Sequence, residues 1–323
     1  MTVRFALLGT WHVHALDHLN WALRHEQAEV AVVWDGDETR GRAFAAAHGL
    51  PFEESLAAAL ASDAIDAVIV DCETTDHPQV ISAALAAGKH VFTEKVLAVD
   101  PGDAATLARQ ARDAGLVLWV SLQRLGEAPH RTIRQIVAEG SIGRVVSSRI
   151  RYAHGGAFGT PPIPKEFFEA SAAGGGVMID LGAHPAYLAM MIHGESPVSV
   201  SAETSSIAGL GIEDNAAYIM RFPSGAISVA EVSFVNDRFS FSTEVTGTSG
   251  MLACGPVDTI VRLRRAGEDA WIAQPPVPAS DDMLSQFIDE LRSPGRGDAL
   301  LTLATEVSSV IGSAYRSAKD VRG

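Results

Sequence analysis

The sequence predicts an α/β protein, with an N-terminal Rossmann domain followed by an α+β domain that carries a large, mostly antiparallel open sheet. Short runs rich in Val and Ile alternate with helical stretches up to about residue 121, as in a parallel sheet built from βαβ units. Beyond residue 122, runs of alternating polar and apolar residues are typical of an antiparallel sheet. A chain of 323 residues is too long for one ordinary core, so we expect domains at 1–121 and 122–323.

The N-terminal part contains five predicted strands, because apolar runs of four to six residues recur between polar or glycine-containing segments. They are Val3–Leu8, Glu29–Trp34, Ala67–Asp71, His90–Thr93 and Val117–Ser121. Helices are predicted between them over Ala15–Arg24, Glu38–His48, Ser55–Ala61, Pro78–Ala87 and Gly102–Ala114. Gly49, Gly88 and Gly115 stand where three of these helices should end.

The C-terminal part begins with one more predicted helix, His130–Glu139. Segments with a period of two then predict strands over Val145–Ala153, Val198–Ser206, Ala216–Phe222, Ala226–Phe234, Phe239–Thr246 and Thr259–Arg264. Pro223–Gly225 separates two of them and predicts a hairpin turn, and Gly155–Pro164 predicts a loop over the site. Asp282–Leu291 and Leu300–Ala318 are the predicted closing helices.

The composition excludes several classes of partner. Lys and Arg number 25 against 39 Asp and Glu, a net charge of −14. An acidic chain without a basic block is a poor candidate for binding nucleic acid or an anionic membrane. Two cysteines, Cys72 and Cys254, form neither a disulfide framework nor a metal motif, which favours a reducing, cytoplasmic setting. The N-terminus enters a strand-like run directly, and no apolar run approaches the ~18 residues of a membrane span.

The turn Gly9–His14 follows the first predicted strand, where a dinucleotide-binding unit holds the pyrophosphate. Gly9 fits the G-x-G-x-x-G pattern, but Trp11 and His14 stand where small residues are expected. We interpret it as a modified pyrophosphate turn. Gly9 would keep the bend, the helix amino end would offer N–H groups to an anion, and Trp11 and His12 would cover the cofactor or line the cleft.

The same turn has a second interpretation, as a metal site. His12 and His14, with Asp17 and His18 close behind, resemble the metal-binding opening of amidohydrolases, because imidazoles at such spacing can bind zinc or manganese. That family needs eight βα units, whereas the second half of this chain is predicted to be antiparallel. We therefore expect no metal.

Asp35 follows the second predicted strand, where a carboxylate binds the adenosine ribose hydroxyls and repels a 2′-phosphate. Asp37 would add to that repulsion. The pair therefore favours NAD, with NADP less favoured. The alternative is that Asp35, Gly36 and Asp37 form only a solvated turn.

Glu94 and Lys95 follow the fourth predicted strand. An unpaired ammonium is costly in a buried place, and open α/β sheets bind ligands at the carboxyl ends of their strands. Lys95 could hydrogen-bond a reacting hydroxyl and ease its proton off, with Glu94 as its partner. The alternative is a surface lysine after an edge strand.

Asp180 and His184 follow the glycine run 174–176 and are spaced i and i+4, so in one helix they would share a face. A carboxylate beside an imidazole orients the ring and keeps its pKa in a working range for general acid and base catalysis. The alternative is a helix N-cap aspartate and a core histidine.

Together these segments resemble the Gfo/Idh/MocA oxidoreductases. Each motif is weak by itself, but their order and spacing are specific, and the resemblance covers nearly the whole chain. It rests on the Gly9 turn, Asp35, His77, Ala84–Val91, Glu94, Lys95, the glycine run, Asp180, His184, Glu213–Asn215, Arg221–Ala226 and Gly247–Gly250.

The resemblance implies an NAD(P)-dependent dehydrogenase or reductase that transfers hydride between nicotinamide and a sugar, inositol or related polyol or ketone. It implies a substrate hydroxyl near Lys95 and His184, one of whose nitrogens takes its proton, and a homodimer or homotetramer packed through the open sheet. The candidate site residues are then catalytic Lys95, Asp180 and His184; cofactor-binding Gly9, Thr10, Trp11, His12, Asp35, Thr74, His77, Glu94 and Lys95; and substrate-binding Arg124, His154 and Lys165. The alternative for Arg124 is a surface arginine, and His154 and Lys165 are included because they flank the predicted loop.

The chain departs from the family pattern at three places. Trp11 replaces the second glycine of the turn, and Glu73 and Thr74 lie in a segment that replaces the family's Thr-Pro-Asn near the nicotinamide. Val96 replaces the proline after Lys95, so we expect a trans peptide bond there, because a cis bond before a residue other than proline costs ~3 kcal/mol. These departures leave a second hypothesis, a non-catalytic member of the fold that binds a nucleotide or a sugar.

Overall fold

The computed structural model describes residues 2–318, and its first part contains a five-stranded parallel sheet. The strand order is β2-β1-β3-β4-β5, and every neighbouring pair in it is parallel. The predicted Rossmann sheet is therefore confirmed. The strands are β1 Val3–Leu8, β2 Ala28–Trp34, β3 Ala67–Val70, β4 His90–Thr93 and β5 Leu118–Val120.

Five helices connect these strands, and local capping chemistry sets several of their ends. The Asp37 carboxylate accepts hydrogen bonds from two N–H groups of the first turn of the second helix, as an N-cap residue does. Gly49 and Gly115 end two helices with φ of 67°, a left-handed conformation that glycine adopts without steric cost. The helices are α1 Ala15–Arg24, α2 Glu38–His48, α3 Leu56–Ala61, α4 His77–Ala86 and α5 Pro101–Ala114.

The order of the strands creates a crevice at their carboxyl ends. β1 lies between β2 and β3, so the connections leave β1 towards opposite sides of the sheet. Ligands of open α/β sheets bind at this switch point. The turn that starts at Gly9 and the segment that starts at Asp71 both begin there, directly after β1 and β3.

An eight-stranded sheet dominates the later part of the described chain, in the order β13-β12-β11-β10-β6-β9-β8-β7. All neighbouring pairs are antiparallel except β6 with β9, which confirms a mostly antiparallel sheet. The elements are α6 Ala128–Ala138, β6 Val145–Ala153, α7 Ala170–Ala173, α8 Val177–Asp180, α9 Ala183–His193, β7 Ser199–Ser205, β8 Asn215–Arg221, β9 Ile227–Ser233, β10 Ser240–Gly247, β11 Gly250–Cys254, β12 Arg262–Arg265 and β13 Ile272–Ala273.

Two strands of this sheet were not predicted. β11 follows β10 after only two residues. Its run Met251–Cys254 lacks the alternation of polar and apolar residues that predicts a strand. β13 has two residues, too few for a pattern. The hairpin turn predicted at Pro223–Gly225 is confirmed: Gly225 has a φ of 86°, and the strands on either side pair antiparallel.

Two closing helices, α10 Met283–Arg292 and α11 Gly297–Ser317, complete the described chain. The molecule forms two compact units. Of the described residues, the first unit contains those up to Leu122, Ser171–Gly174 and Asp281–Ser308; the second contains Gln123–Ala170, Gly175–Ser280 and those from 309 to 318. Across residues 2–318, no helix is long and apolar enough to cross a membrane.

The first unit has a continuous apolar core. Phe5 of β1 and Phe92 of β4 lie on either side of Phe287 from α10, with ring centroids 6.1 and 5.9 Å from it. All three side chains are completely buried. This core holds the carboxyl ends of the strands in a fixed arrangement and so positions the residues that follow them.

Candidate active site

Gly9 is a position where the backbone closely approaches a neighbouring segment. Its φ is 87°, and a Cβ atom added there would collide with the backbone of Cys72, which follows β3. Only glycine combines this conformation with this close approach. The role predicted for Gly9, to keep the bend tight, therefore has a direct structural basis.

The N–H groups that follow Gly9 point into the first unit. Thr10 N donates to the Asp35 carboxylate at 2.7 Å, and the N–H groups of Trp11 and His12 donate to the Asp71 carbonyl oxygen at 3.1 and 3.0 Å. The N–H groups of these three residues are therefore already bonded within the unit, and anion binding by the amino end of α1 stays a prediction. The bonds to the Asp71 carbonyl form because the chain closes onto the segment after β3. Trp11 and His12 are buried, with 7% and 4% of their surface exposed.

Asp35 follows β2 as predicted, but its oxygens are engaged within the unit. They accept hydrogen bonds from the backbone and hydroxyl of Thr10 at 2.7 and 2.6 Å and from Asp37 N at 2.8 Å. Arg40 makes two further bonds to them, at 3.0 and 2.6 Å, and also binds Glu73. The carboxylate therefore organises the turn, and ribose binding by Asp35 stays a prediction that requires some of these bonds to be exchanged.

This arrangement makes Asp35 more important for stability than Asp37. Replacing Asp35 with Ala leaves several half-buried donors of Thr10 and Arg40 without their acceptor, which should lower the free energy of unfolding by about 3 kcal/mol. The matched control Asp37→Ala removes only a helix cap and should cost about 1 kcal/mol. Thermal unfolding of both variants measures the difference, and equal losses would contradict the assigned role of Asp35.

Lys95 lies directly after β4, at the carboxyl edge of the sheet, with 3% of its surface exposed. Its Nζ is 3.8 Å from Oε1 of Glu94, so the surface-lysine alternative is wrong. The Lys95–Val96 peptide bond is cis, which corrects the trans prediction. Val96 and Leu97 are buried, and Nδ1 of His77 donates to the Val96 carbonyl at 2.9 Å. Tertiary packing, rather than the local preference, therefore determines this backbone.

A buried histidine adjoins this lysine segment. Nδ1 of His18 is 2.9 Å from the Asp71 carboxylate, and its Nε2 is 3.5 Å from Glu94. Burial lowers the pKa of His18, but the charge and hydrogen bond of Asp71 and the charge of Glu94 outweigh it, so the pKa is raised. The helical spacing in the sequence could have predicted that His18 is buried, because it lies on the same face of α1 as the buried Ala15, Leu19 and Ala22.

The neighbouring His12 has the opposite character. Burial lowers its pKa well below the ordinary value, and the positive charges of Lys95, His14 and His18 lower it further. Nδ1 of His12 accepts a hydrogen bond from His14 N at 3.2 Å, which fits a neutral ring. His12 is therefore a neutral polar group beside a set of charged ones.

Polar atoms at this edge of the sheet fit a bound dinucleotide. Three buried atoms here have no hydrogen-bond partner within the described part of the chain: both carboxylate oxygens of Glu94 and Nε2 of His77. Thr74 lies in the same segment and is 6% exposed. A buried polar atom without a partner is costly, and hydroxyl or amide groups of a cofactor would supply partners. The cofactor-binding roles predicted for Thr74, His77 and Glu94 remain predictions that this geometry supports.

In the second unit, Asp180 and His184 do not share one helix, which corrects the prediction. Asp180 ends α8, and His184 lies in the first turn of α9, with Leu181 and Gly182 between the two helices. Pro185 contributes to the break, because proline has no N–H to continue the helical hydrogen bonds, and the hydroxyl of Tyr218 donates to the Gly182 carbonyl at 2.5 Å. Glu213 binds the amino end of α8 through the N–H groups of Gly176 and Met178, at 2.9 and 3.2 Å.

His184 is buried in a cluster that also contains the predicted Arg124. Nδ1 of His184 is 2.7 Å from the hydroxyl of Tyr187, and that hydroxyl accepts a hydrogen bond from Arg124 N at 3.3 Å. The Tyr152 ring is 4.9 Å from the His184 ring, and the Arg124 guanidinium lies 5.2 Å above the Tyr152 ring. The hydrogen bond to Tyr187 therefore holds the orientation of the His184 ring. The sequence analysis missed both tyrosines.

A cavity of about 350 Å³ adjoins this cluster within the second unit. Aromatic and apolar side chains form much of its wall, and Arg124 and Glu127, which form an ion pair, supply charge. A pocket that combines apolar walls with a few polar groups is typical of a small-molecule site. The lining residues include Arg124, Glu127, Tyr152, Phe239, Phe241 and Val257.

The two weaker substrate-contact predictions lie elsewhere in this unit. His154 follows β6 and is 7% exposed; its ring stacks on Phe234 at 5.2 Å, and its Nδ1 accepts a hydrogen bond from Gly156 N at 3.0 Å. Lys165 begins a short 3₁₀ helix and is exposed. The structure therefore gives His154 a clear packing role, and substrate contact by either residue stays a prediction.

Comparison with known proteins now decides the family. Residues 3–122 match the model of an oxidoreductase family with an NAD-binding Rossmann fold, and residues 130–253 match the GFO/IDH/MocA C-terminal domain. The chain belongs to the Gfo/Idh/MocA oxidoreductases. The predicted family is thereby confirmed over most of the chain, and with it the NAD-binding type of the N-terminal domain.

Relatives extend over nearly the whole chain. The 1,5-anhydro-D-fructose reductase of Ensifer adhaerens is 29% identical over 98% of both chains. The inositol 2-dehydrogenase of Rhizobium meliloti is 27% identical over 78% of this chain and 76% of the relative. The crystal structure of GenD2 from gentamicin A biosynthesis in complex with NAD has a TM-score of 0.82 at 24% identity and covers 99% of this chain and 95% of its own. The last comparison supports the fold.

The amidohydrolase interpretation of His12 and His14 fails on the fold. That family needs eight βα units, whereas this chain combines a five-stranded parallel sheet with an eight-stranded mixed sheet over residues 2–318. Both histidines also have other partners: His12 accepts a bond from the backbone of His14, and Nδ1 of His14 is 2.8 Å from Asp17. In the same described range, no group of three or more His, Cys, Asp or Glu residues could hold a metal ion.

Proposed function

We propose that this protein is an NAD-dependent oxidoreductase that interconverts a hydroxyl and a ketone on a sugar, inositol or related polyol. The observation that carries the proposal is the buried Lys95 at the carboxyl end of β4, 3.8 Å from Glu94. An ammonium group is rarely buried unless a function or a partner retains it. A lysine at this edge of an NAD-binding Rossmann sheet stands where ligands of open α/β folds bind.

The chain's own residues supply binding and proton transfer. NAD, when bound, accepts hydride from the carbon of an alcohol or, as NADH, returns it to a ketone. Lys95 Nζ is assigned to hold the reacting oxygen and ease its proton away, with Glu94 beside it. From the second unit, His184 Nε2 is assigned to exchange a proton, because Tyr187 occupies its Nδ1. Asp180 is assigned to assist His184. General acid and base groups of this kind contribute about 10²- to 10⁴-fold to the rate.

A sugar or polyol suits the cavity beside His184. Aromatic faces pack against the C–H faces of a sugar ring, while polar groups fix its hydroxyls. Tyr152, Phe239 and Phe241 supply such faces, and Arg124 supplies donors. The relatives are named for 1,5-anhydro-D-fructose and for inositol, which agrees with this substrate class.

NAD is the preferred cofactor in this proposal, and NADP is the weaker one. The carboxylates of Asp35 and Glu73 bind the guanidinium of Arg40, and that of Asp37 accepts from its backbone N–H. Three carboxylates near one guanidinium leave an excess of negative charge for a 2′-phosphate to meet. We expect NAD to raise the melting temperature more than NADP at equal concentration, since a ligand that binds the folded state stabilises it in proportion to its affinity. A larger shift with NADP would contradict this preference.

A homodimer or homotetramer through the eight-stranded sheet is also proposed. Strand β8 alternates between buried and exposed residues, so one face of the sheet is open within the chain, and Ile219 and Ile227 on β8 and β9 are 47% and 43% exposed. Light scattering on the purified protein tests this assembly. A cytoplasmic location is proposed on the two free, buried cysteines, Cys72 and Cys254.

The proposed function is tested by incubating the protein with NAD and a panel of polyols, inositols and sugars while following NADH formation. Turnover of at least one compound supports the proposal. Tight NAD binding without turnover of any compound, in either direction, would favour the alternative of a non-catalytic binding protein. If neither NAD nor NADP binds, both the proposed enzyme function and the non-catalytic nucleotide-binding alternative are wrong.

A further inference from the structure

Four ionisable side chains are buried next to one another at the carboxyl end of the five-stranded sheet. His18, Asp71, Glu94 and Lys95 have 1%, 0%, 0% and 3% of their surface exposed. They come from different elements, His18 from α1, Asp71 from the segment after β3, and Glu94 and Lys95 from the segment after β4. Buried charges persist only when they are paired, so the four groups must be considered together.

The contacts place His18 between the two carboxylates. Its Nδ1 is 2.9 Å from Oδ1 and 3.0 Å from Oδ2 of Asp71, and its Nε2 is 3.5 Å from Oε2 of Glu94. The other oxygen of Glu94 is 3.8 Å from Lys95 Nζ. Glu94 therefore lies between two nitrogen groups, His18 on one side and Lys95 on the other.

We propose that His18 is a positioning residue for Lys95: its imidazolium, held by Asp71, shares the charge of Glu94 and so sets how strongly Glu94 holds the Lys95 ammonium. This inference rests on the proposed function, in which Lys95 handles the proton of the substrate. It assigns a role to His18 and Asp71, neither of which belongs to the predicted site.

The charges around His18 favour this state. Asp17 on its own helix, Asp71 and Glu94 face it with negative charge and, against the effect of burial, raise the pKa of His18. The positive or neutral groups around it are Lys95, His12 and His14, and burial lowers the pKa of His12, so His12 adds no charge. The ring packs against Trp21 and Phe92, with centroids 5.0 and 4.9 Å away, and helix α10 contributes the apolar Phe287 on the far side of Phe92.

His18→Gln removes the positive charge that lies on the other side of Glu94 from Lys95. The charge of Glu94 then favours the ammonium form of Lys95 more strongly, so its proton is released only at higher pH. The midpoint in the pH dependence of kcat/KM that is assigned to Lys95 should therefore rise by about one pH unit. A single charge a few ångströms away in a protein interior has an effect of this size. A purely structural role of His18 would reduce stability or kcat without moving that midpoint. His90→Gln is the matched control, because His90 starts β4 at the opposite end of the strand, and its profile should stay unchanged.

A second measurement needs neither the His18 variant nor any substrate. The protonation of His18 is followed by ¹⁵N NMR of the imidazole in the intact wild-type protein and in Lys95→Met. Coupling between two charges is reciprocal, so loss of the Lys95 charge should move the His18 midpoint to higher pH, with the imidazolium already dominant in the wild type at neutral pH. A neutral His18 at neutral pH, or equal midpoints in the two proteins, would overturn the proposal. A shifted midpoint in a protein that turns over no polyol would keep this inference and reject the proposed function.

Discussion

Lys95→Ala is expected to lower NAD-dependent turnover by about 10²- to 10⁴-fold, the range that a positioned acid or base contributes. The variant removes the ammonium group that lies 3.8 Å from Oε1 of Glu94. Because the dinucleotide is held by many groups of the Rossmann unit, its dissociation constant should change far less than the rate. Steady-state kinetics and NAD titration, carried out on the same preparation, separate the two effects.

Two outcomes would contradict this assignment. Unchanged turnover would show that Lys95 does not handle the reacting proton. An equal loss of turnover and of NAD affinity would show that it acts only in binding the cofactor. Lys95→Arg is a useful companion variant, since it keeps the positive charge but cannot release a proton at working pH. If proton release is required, its turnover should be as low as that of Lys95→Ala.

Gly9→Ala is expected to destabilise the protein by at least about 4 kcal/mol, among the larger effects of a single substitution. The added Cβ would collide with the backbone of Cys72, which cannot rotate away as a side chain can, and the φ of 87° adds strain for any residue with a Cβ. The measurement is thermal or denaturant unfolding, with NAD binding recorded in parallel.

Gly36→Ala is the matched control for this substitution. Gly36 lies in the turn after β2, and a Cβ there would meet no atom within 4 Å. Its stability should therefore stay within about 0.5 kcal/mol of the wild type, as for most surface changes. A Gly9→Ala variant that is as stable as Gly36→Ala would show that the tight bend at Gly9 is not required.

The strands and helices of the first unit could be predicted because their signals are local. Val3–Leu8 and His90–Thr93 are strands with the predicted bounds, and the glycines at 49 and 115 end helices as expected. The same applies to the location of Asp35 and Lys95, each directly after a strand. Apolar period, capping residues and glycine positions are all contained within a few neighbouring residues.

The partners of these residues could not be predicted, because they come from distant parts of the chain. Asp71 binds His18 across 53 positions, and Tyr218 donates to the Gly182 carbonyl across 36 positions, between the helices that hold Asp180 and His184. The occupied N–H groups after Gly9 likewise depend on the Asp71 carbonyl. Spacing in the sequence identified residues that could do chemistry, whereas their orientation was decided by tertiary contacts.

The most direct test of the central claim is transfer of deuterium from substrate to cofactor. A polyol found in the NAD screen is labelled with deuterium at the carbon that becomes the ketone, and the NADH formed is analysed by mass spectrometry. Hydride transfer at the proposed site predicts one deuterium in each NADH formed, and about 10²- to 10⁴-fold less labelled NADH in samples containing Lys95→Ala over the same time. NADH without deuterium, or a ketone formed without NADH, would contradict the account.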